Sequence, residues 1–412
     1  MHIAVLSDPA NFHTQKWATA LQRVGARVTI FSFSDYQMDD VECVKIPPGF
    51  TLNGNITYAS YLYSTDKLLK EVKARKVDLL NPLNITPFGV WATRTGFEPV
   101  VSVAMGADIL EYPPTRKESN IPDSRIWSSN TTQSPGPIGK MVKDVKWRMF
   151  RNQVQEALHK SALITGDNIQ LVQAIKNWFG IPEHKVKLNR WGIEEELFEV
   201  SETQKQVLRE KFNIRDWQKV VLSPRGMKPV YQGDLILESF EMLLRRGVRD
   251  INMIMLSAGY DVPPKVAQKA NELNKQFPNF HYVSEQLPRE EVIALWSLVD
   301  AFISAPVYDG YSNAVSEGRY AGAIPIVNPI PANLELIRHK VNGWVVDPFT
   351  PQHLADALLE MLPVMDEYKD RFAGTNRKWI LKHSHLDTNI NIFYKDCRKV
   401  LNQYRRKGSL SH

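Results

Sequence analysis

Asp309-Gly-Tyr-Ser-Asn-Ala-Val-Ser-Glu317 sets two carboxylates on either side of a glycine-containing turn and a helix start. Ahead of it, residues 292–304 read as a helix feeding an apolar strand. Behind it, Gly318-Arg-Tyr-Ala-Gly322 leads into Ala323-Ile-Pro-Ile-Val327, the pattern of the next strand. The segment thus falls at a strand-to-helix junction, on the side of an α/β sheet where ligands bind. With the helix beginning at Ser312 or Asn313, its free N–H groups and positive end can cradle a phosphate, and Gly310 lets the backbone approach closely. Carboxylates are poor phosphate ligands but good acceptors for sugar and ribose hydroxyls. The expected division of labour gives phosphate to the amides around Tyr311, Ser312 and Asn313, and hydroxyls to Asp309 and Glu317. An Asp-Gly turn followed by a surface glutamate would account for the same residues without any ligand.

Outward from this block the chain alternates strand and helix. In the first half, residues 2–7, 27–33, 77–81, 99–103, 162–165 and 186–188 read as strands, with helical patterns at 15–24, 61–74, 87–95, 143–159 and 168–179. The first loop, Asp8-Pro-Ala-Asn-Phe-His-Thr14, lacks the glycine fingerprint of a dinucleotide site. Residues 111–140 break the alternation and read as a long loop. The second half restarts with strands at 220–223, 252–257, 280–283 and 301–304. Repeated alternation predicts parallel sheets covered by helices, in two doubly wound domains. Their expected limits are 1–195 and 196–385, with an amphipathic helical segment at 386–412.

A chain of 412 residues is long enough for two cores. Cys43 and Cys397 are its only cysteines, with no metal-knuckle or redox spacing, so a reducing compartment is expected. Met1-His-Ile-Ala-Val-Leu-Ser-Asp8 reads as a buried strand rather than a leader, and no apolar run approaches the roughly 20 residues that span a bilayer. A cytoplasmic protein follows as the expectation, peripheral at the inner face of a membrane. The formal charge of +6 fits an anionic partner, either a nucleotide-sugar or an anionic membrane surface. No zinc-finger spacing, aromatic RNA-binding signature or long basic arm points to nucleic acid.

The longer string Ser-Ala-Pro-Val-Tyr-Asp-Gly-Tyr-Ser-Asn-Ala-Val-Ser-Glu-Gly-Arg-Tyr-Ala-Gly-Ala-Ile-Pro, from Ser304 to Pro325, resembles the donor-binding block of the retaining glycosyltransferases of family 4. The resemblance extends over nearly the whole chain. It implies the GT-B fold, two Rossmann-like domains facing across a cleft, and an acidic residue, seven intervening residues and a glutamate, matched here by Asp309 and Glu317. It also implies a nucleotide diphosphate sugar as donor, with a UDP-sugar taken ahead of a GDP-sugar, a glycan or lipid-linked hydroxyl as acceptor, and no separate cofactor. Transfer would proceed by a front-face retaining mechanism, the first domain serving the acceptor and the second the donor.

Carried over residue by residue, the resemblance makes Arg225 a diphosphate ligand and a catalytic residue. The lysine that follows this arginine five residues later in the family is replaced by Val230, which leaves Lys228, two residues early, as the substitute. Gly106-Ala-Asp108 matches a Gly-Ser-Asp segment, so Asp108 is a candidate for positioning a hydroxyl; a helix cap explains it equally well. His13 and Trp17 match a His-Thr-x-x-Trp pattern, with Trp17 expected in the core. Tyr282 and Val283 stand where the family receives the base. No D-x-D occurs at a strand end, so no metal is expected, and charge neutralisation falls to Arg225, helix amides and Lys228. Two other functions share the plan: a nucleotide-sugar epimerase or hydrolase, and a non-enzymatic sugar-binding protein.

Overall fold

Residues 1–115, 137–257 and 262–409 are described by the computed structural model; the long connection expected over 111–140 falls largely outside them. Two compact units result, one of Met1–Arg190 with Leu386–His412 and the other of Trp191–His385.

The first unit is built on β1 (His2–Leu6), β2 (Arg27–Ser32), β3 (Glu42–Lys45), β4 (Leu79–Pro82), β5 (Val101–Ala104), β6 (Leu163–Gly166) and β7 (Val186–Leu188). Every residue of β1 is buried, as expected of a parallel strand covered on both faces. The strands pair in the orders β3-β2-β1-β4 and β5-β6-β7. Parallel bridges Leu80–Val100 and Leu83–Val103 join the two sets into one series. β3, too short and too charged to carry a pattern, was not legible in the sequence.

The second unit contains β8 (Lys219–Ser223), β9 (Ile251–Leu256), β10 (Phe280–Val283), β11 (Ala301–Ser304), β12 (Ile324–Val327) and β13 (Trp344–Val345). Its order is β10-β9-β8-β11-β12-β13, parallel throughout. Val221, Met253 and Met255 meet Phe240, Phe280 and Leu358 in its core. In both sheets the direction of winding reverses beside the first strand, so each has a switch point, between β1 and β4 and between β8 and β11. Crevices at such points are where open α/β sheets bind ligands.

Helix Leu386–Ser409 belongs to the first unit. Phe393 meets the Trp17 ring edge-on at 4.9 Å, and Asp396 pairs with Lys187 at 2.7 Å. The chain therefore passes between the units twice. Beside the crossings, Asn189 Nδ2 donates to the Asn389 carbonyl and Asn389 Nδ2 to the Arg190 carbonyl, each at 3.0 Å. In the second unit Ser384 Oγ donates to the Trp191 carbonyl at 2.7 Å and Ile193 N to the Ser384 carbonyl at 2.9 Å. These bonds tie Trp191 and Ile193 to the second unit, so the division falls at Arg190–Trp191, ahead of 195–196.

Candidate active site

Arg225 lies two residues beyond β8 and Asp309 five beyond β11, the two strands that flank the switch point of the second unit. They form an ion pair there. Arg225 Nη1 donates to Asp309 Oδ2 and, at 2.7 Å, to Ser312 Oγ; Nη2 donates to Asp309 Oδ1 at 3.3 Å. The face of the guanidinium rests on Tyr231, 4.5 Å from the ring centroid. Burial pulls the Arg225 pKa down, but the Asp309 charge and Tyr231 outweigh it and hold the group above its ordinary value. Arg225 is thus a permanent cation with both its edge and its face fixed.

The loops carrying the pair are locked to each other. Val307 N donates to the Val230 carbonyl at 2.8 Å, and Gln232 Nε2 to the Ala305 carbonyl at 2.8 Å. Val230 is buried, which gives a physical reason for an apolar side chain where the family's lysine would stand. Lys228 sits just ahead of the short turn Pro229–Tyr231. Asn328 Nδ2 donates to the Pro306 carbonyl at 2.8 Å, bracing the Asp309 loop from β12.

Helix Asn313–Ala321 follows, with Ser312 as its N-cap; Ser312 Oγ accepts from Val315 N at 3.3 Å. The same hydroxyl oxygen accepts from Arg225, so cap and cation share one atom. Asn313 is the first helical residue. Tyr311 is buried, its hydroxyl within electrostatic reach of Arg319, so its side chain belongs to the interior.

Glu317, which the sequence offers as an acceptor for hydroxyls, is buried and held by its own partners. Its side chain is 5% exposed and paired with Arg289. Arg289 Nη1 donates to Oε2 at 3.1 Å, Nη2 donates to Oε1, and Trp296 Nε1 donates to Oε2 at 3.2 Å. Three donors hold the carboxylate, a bidentate guanidinium among them. Gly318, next along, lets the helix lie directly on β11, because a Cβ there would overlap the Phe302 ring.

Tyr282 and Val283 end β10, the edge strand of the sheet. Tyr282 N donates to Asn274 Oδ1 and the Val283 carbonyl accepts from Ser257 N, both at 2.8 Å. Burial raises the Tyr282 pKa.

In the first unit, Asp108 is buried on the short helix Ala107–Leu110 that follows β5 and links two loops: Oδ2 accepts from Ile85 N at 2.7 Å and Oδ1 from Met105 N at 3.0 Å. Burial raises its pKa to about 6 against the lowering effect of those backbone bonds. The carboxylate is a brace between loops. Trp17 is in the core as expected, its Nε1 donating to Asn81 Oδ1 at 2.8 Å, while His13 N caps onto Asn11 Oδ1 at 2.8 Å.

Tyr231, Arg289 and Trp296 are the site residues that sequence reasoning missed. Tyr231 lies six residues after Arg225 in the sequence. Arg289 had one signal, a guanidinium opening a helix directly after the β10 loop.

The family described as glycosyl transferases group 1 matches residues 204–379, and that described as glycosyl transferase 4-like matches residues 2–123. No curated protein matches the sequence. Among solved structures, a glycosyltransferase from Rickettsia africae aligns at 15% identity and a TM-score of 0.71, covering 97% of this chain and 98% of that one. The Anabaena protein HepE in complex with UDP-glucose aligns at 13% identity and a TM-score of 0.71, over 98% and 100% of the two chains. Sucrose-phosphate synthase from Thermosynechococcus elongatus aligns at 12% identity and a TM-score of 0.74, again over 98% and 100%. At these identities the structural likeness speaks for the fold, and the family matches, one over most of each unit, speak for the chemistry. The chain belongs to the glycosyltransferases, of the kind that joins a 4-like first half to a group 1 second half on the GT-B fold.

Proposed function

We propose that this glycosyltransferase moves a hexose from a nucleoside diphosphate sugar, a UDP-sugar by preference, to a hydroxyl of a glycan or lipid-linked acceptor, with retention at the anomeric carbon. The observation that carries the reading is the Arg225–Asp309–Ser312 constellation at the switch point of the unit that matches the group 1 family. HepE, bound to UDP-glucose on the same fold, supports the choice of base and a hexose.

As the bond from the anomeric carbon to the diphosphate breaks, negative charge grows on the departing oxygen. A cation that is already oriented stabilises that charge without reorganising, which is the main electrostatic contribution an enzyme makes. Arg225 supplies it, with the N–H groups that open helix Asn313–Ala321 and with Lys228. Asp309 fixes the plane of Arg225, and Glu317 fixes Arg289; both carboxylates act as positioning residues. The acceptor oxygen bonds to the anomeric carbon on the face that the leaving group vacates, and its proton passes to the departing phosphate oxygen. Asp108 acts indirectly, by holding the loops after β4 and β5. No divalent ion enters this account, so turnover persists in the presence of a chelator.

The same reading assigns the protein to cell-surface glycan synthesis, cytoplasmic and peripheral at an anionic membrane. Among the described residues no helix is long and apolar enough to cross one. A screen of UDP- and GDP-sugars with glycan and glycolipid acceptors, read by released nucleotide and by the anomeric coupling constant of the product, tests the reading. Failure to bind any nucleotide sugar rejects it, and an inverted product rejects retention.

A further inference from the structure

We infer that Arg319 is a further positioning residue for the donor: a buried cation, without a carboxylate of the described residues to balance it, whose countercharge is the diphosphate held at the start of its own helix; this rests on the donor reading of the Arg225 site.

Helix Asn313–Ala321 sends Glu317 to Arg289 and lays Gly318 on Phe302; Arg319, next along, enters the seam with helix Met365–His383. There Arg319 is 1% exposed. Its Nε donates to Asn376 Oδ1 at 3.0 Å, and its guanidinium lies 4.7 Å from the Trp379 ring centroid. Asn376 is buried and donates to the Asn342 carbonyl at 3.0 Å, which keeps its oxygen turned to Arg319. Nη1 of Arg319 is buried with no hydrogen-bond partner among the described residues.

A guanidinium taken out of water ordinarily brings a carboxylate with it. Glu317 is taken by Arg289, and Tyr311 is the only titratable group among the described residues whose charge acts on Arg319. Arg377, on the facing helix, is turned to Tyr320, its Nε donating to the Tyr320 carbonyl at 3.0 Å. Burial lowers the Arg319 pKa to about 10 against a smaller opposing effect of Tyr311, and the group stays charged near neutral pH. The carbonyl end of a nine-residue helix favours a cation, but by much less than stripping water from a guanidinium costs. A charge that the fold itself does not use points to a ligand.

Its position names the ligand. Side chains on a helix lean toward the N-terminus, and Arg319 reaches back far enough to feel Tyr311, two residues before the first helical residue. Tyr311 adjoins Ser312, the cap that Arg225 holds and the start of the amide cradle assigned to the diphosphate. Arg319 stands six residues after Asn313, about 9 Å along the helix. Across such a span of protein interior, two unit charges change an affinity by roughly one order of magnitude.

Calorimetry of the full chain with UDP, UMP and uridine, alongside thermal melting, tests the inference. Arg319→Met is expected to weaken UDP roughly tenfold and UMP less, to leave uridine unchanged, and to melt at or above the wild-type temperature. Arg319→Lys keeps UDP affinity within about threefold at pH 7 and loses it, relative to the wild type, as pH rises to about 9, because a buried ammonium gives up its proton sooner than a guanidinium. Wild-type UDP affinity in Arg319→Met overturns the inference and leaves the donor reading intact. Equal weakening of UDP and uridine also overturns it and assigns Arg319 to packing. Should Arg319→Met fail to fold, Arg319→Lys decides: a UDP affinity that tracks the wild type from pH 7 to about 10 overturns the inference. A wild type that binds neither UDP nor GDP rejects the donor reading and, with it, the role of Arg319.

Discussion

The two units wind their sheets alike and fill the switch points with opposite chemistry. Between β8 and β11 the second unit carries an ion pair, Arg225 with Asp309. In the first unit Asn81 of β4, the strand beside β1, holds a neutral, buried hydrogen bond from Trp17 and passes it on to the Val101 carbonyl of β5 at 2.7 Å. A doubly wound sheet therefore supplies the frame, and the few side chains set beside its first strand decide whether it carries an ion pair or a neutral hydrogen bond.

The comparison breaks most directly at Arg225. Arg225→Ala is expected to lower donor affinity and kcat/KM on the order of 10²–10³-fold, and Lys228→Ala about tenfold. Isothermal calorimetry with UDP-sugar checks both, and equal losses would remove Arg225 from its central role. Trp17→Phe, the matching change at the neutral switch point, leaves donor affinity where it was.

Glu317→Gln comes next. Exchanging a buried carboxylate held by Arg289 and Trp296 leaves a guanidinium without its counter-ion, which destabilises by about 3 kcal/mol. Urea denaturation of the variant measures this, and hydrogen exchange should locate the loss in the second unit. Wild-type stability combined with lost turnover would instead put Glu317 in contact with substrate. Gly318→Ala is smaller, about 1–3 kcal/mol, because the new methyl group must displace Phe302 on β11.

The smallest effects concern pH, and they have opposite signs in the two units. Asp108 has a pKa raised from 3.8 to about 6 by burial, so the stability of the first unit is full below pH 4 and declines as pH rises through 6. His281, lowered from 6.5 to about 4 by burial, gives the second unit stability that is full above pH 6.5 and is lost as pH falls through 4. Asp108→Asn and His281→Gln should each flatten one of these slopes. Hydrogen exchange between pH 4 and 7 resolves them, and slopes of one sign in both units would refute the assignment.

Much of this was legible in the chain. Alternating apolar runs predict the parallel sheets because strands covered on both faces must be apolar throughout, and Ser312 or Asn313 as helix start followed from the capping preference of a short hydroxyl or amide side chain. The partners of Glu317 were not legible, since Arg289 lies on a different helix and only the fold brings it near. Asp108 illustrates the same limit: a carboxylate after a strand reads as a site residue, yet its oxygens are taken by Ile85 and Met105, loop positions with no pattern of their own. β13, two residues long, carries too little periodicity to be seen at all.

The passage of the chain back to the first unit has a consequence for biosynthesis. When residues 1–190 have left the ribosome, that unit still lacks helix Leu386–Ser409, and the side of Trp17 that Phe393 covers stays open to water. The second unit is continuous in the chain, so it closes first, although it begins later. At a translation rate of roughly 5–20 residues per second, the nascent first unit waits about 10–40 s for its last helix. During that interval its unfilled apolar seat is a binding site for any chaperone that attends the emerging chain.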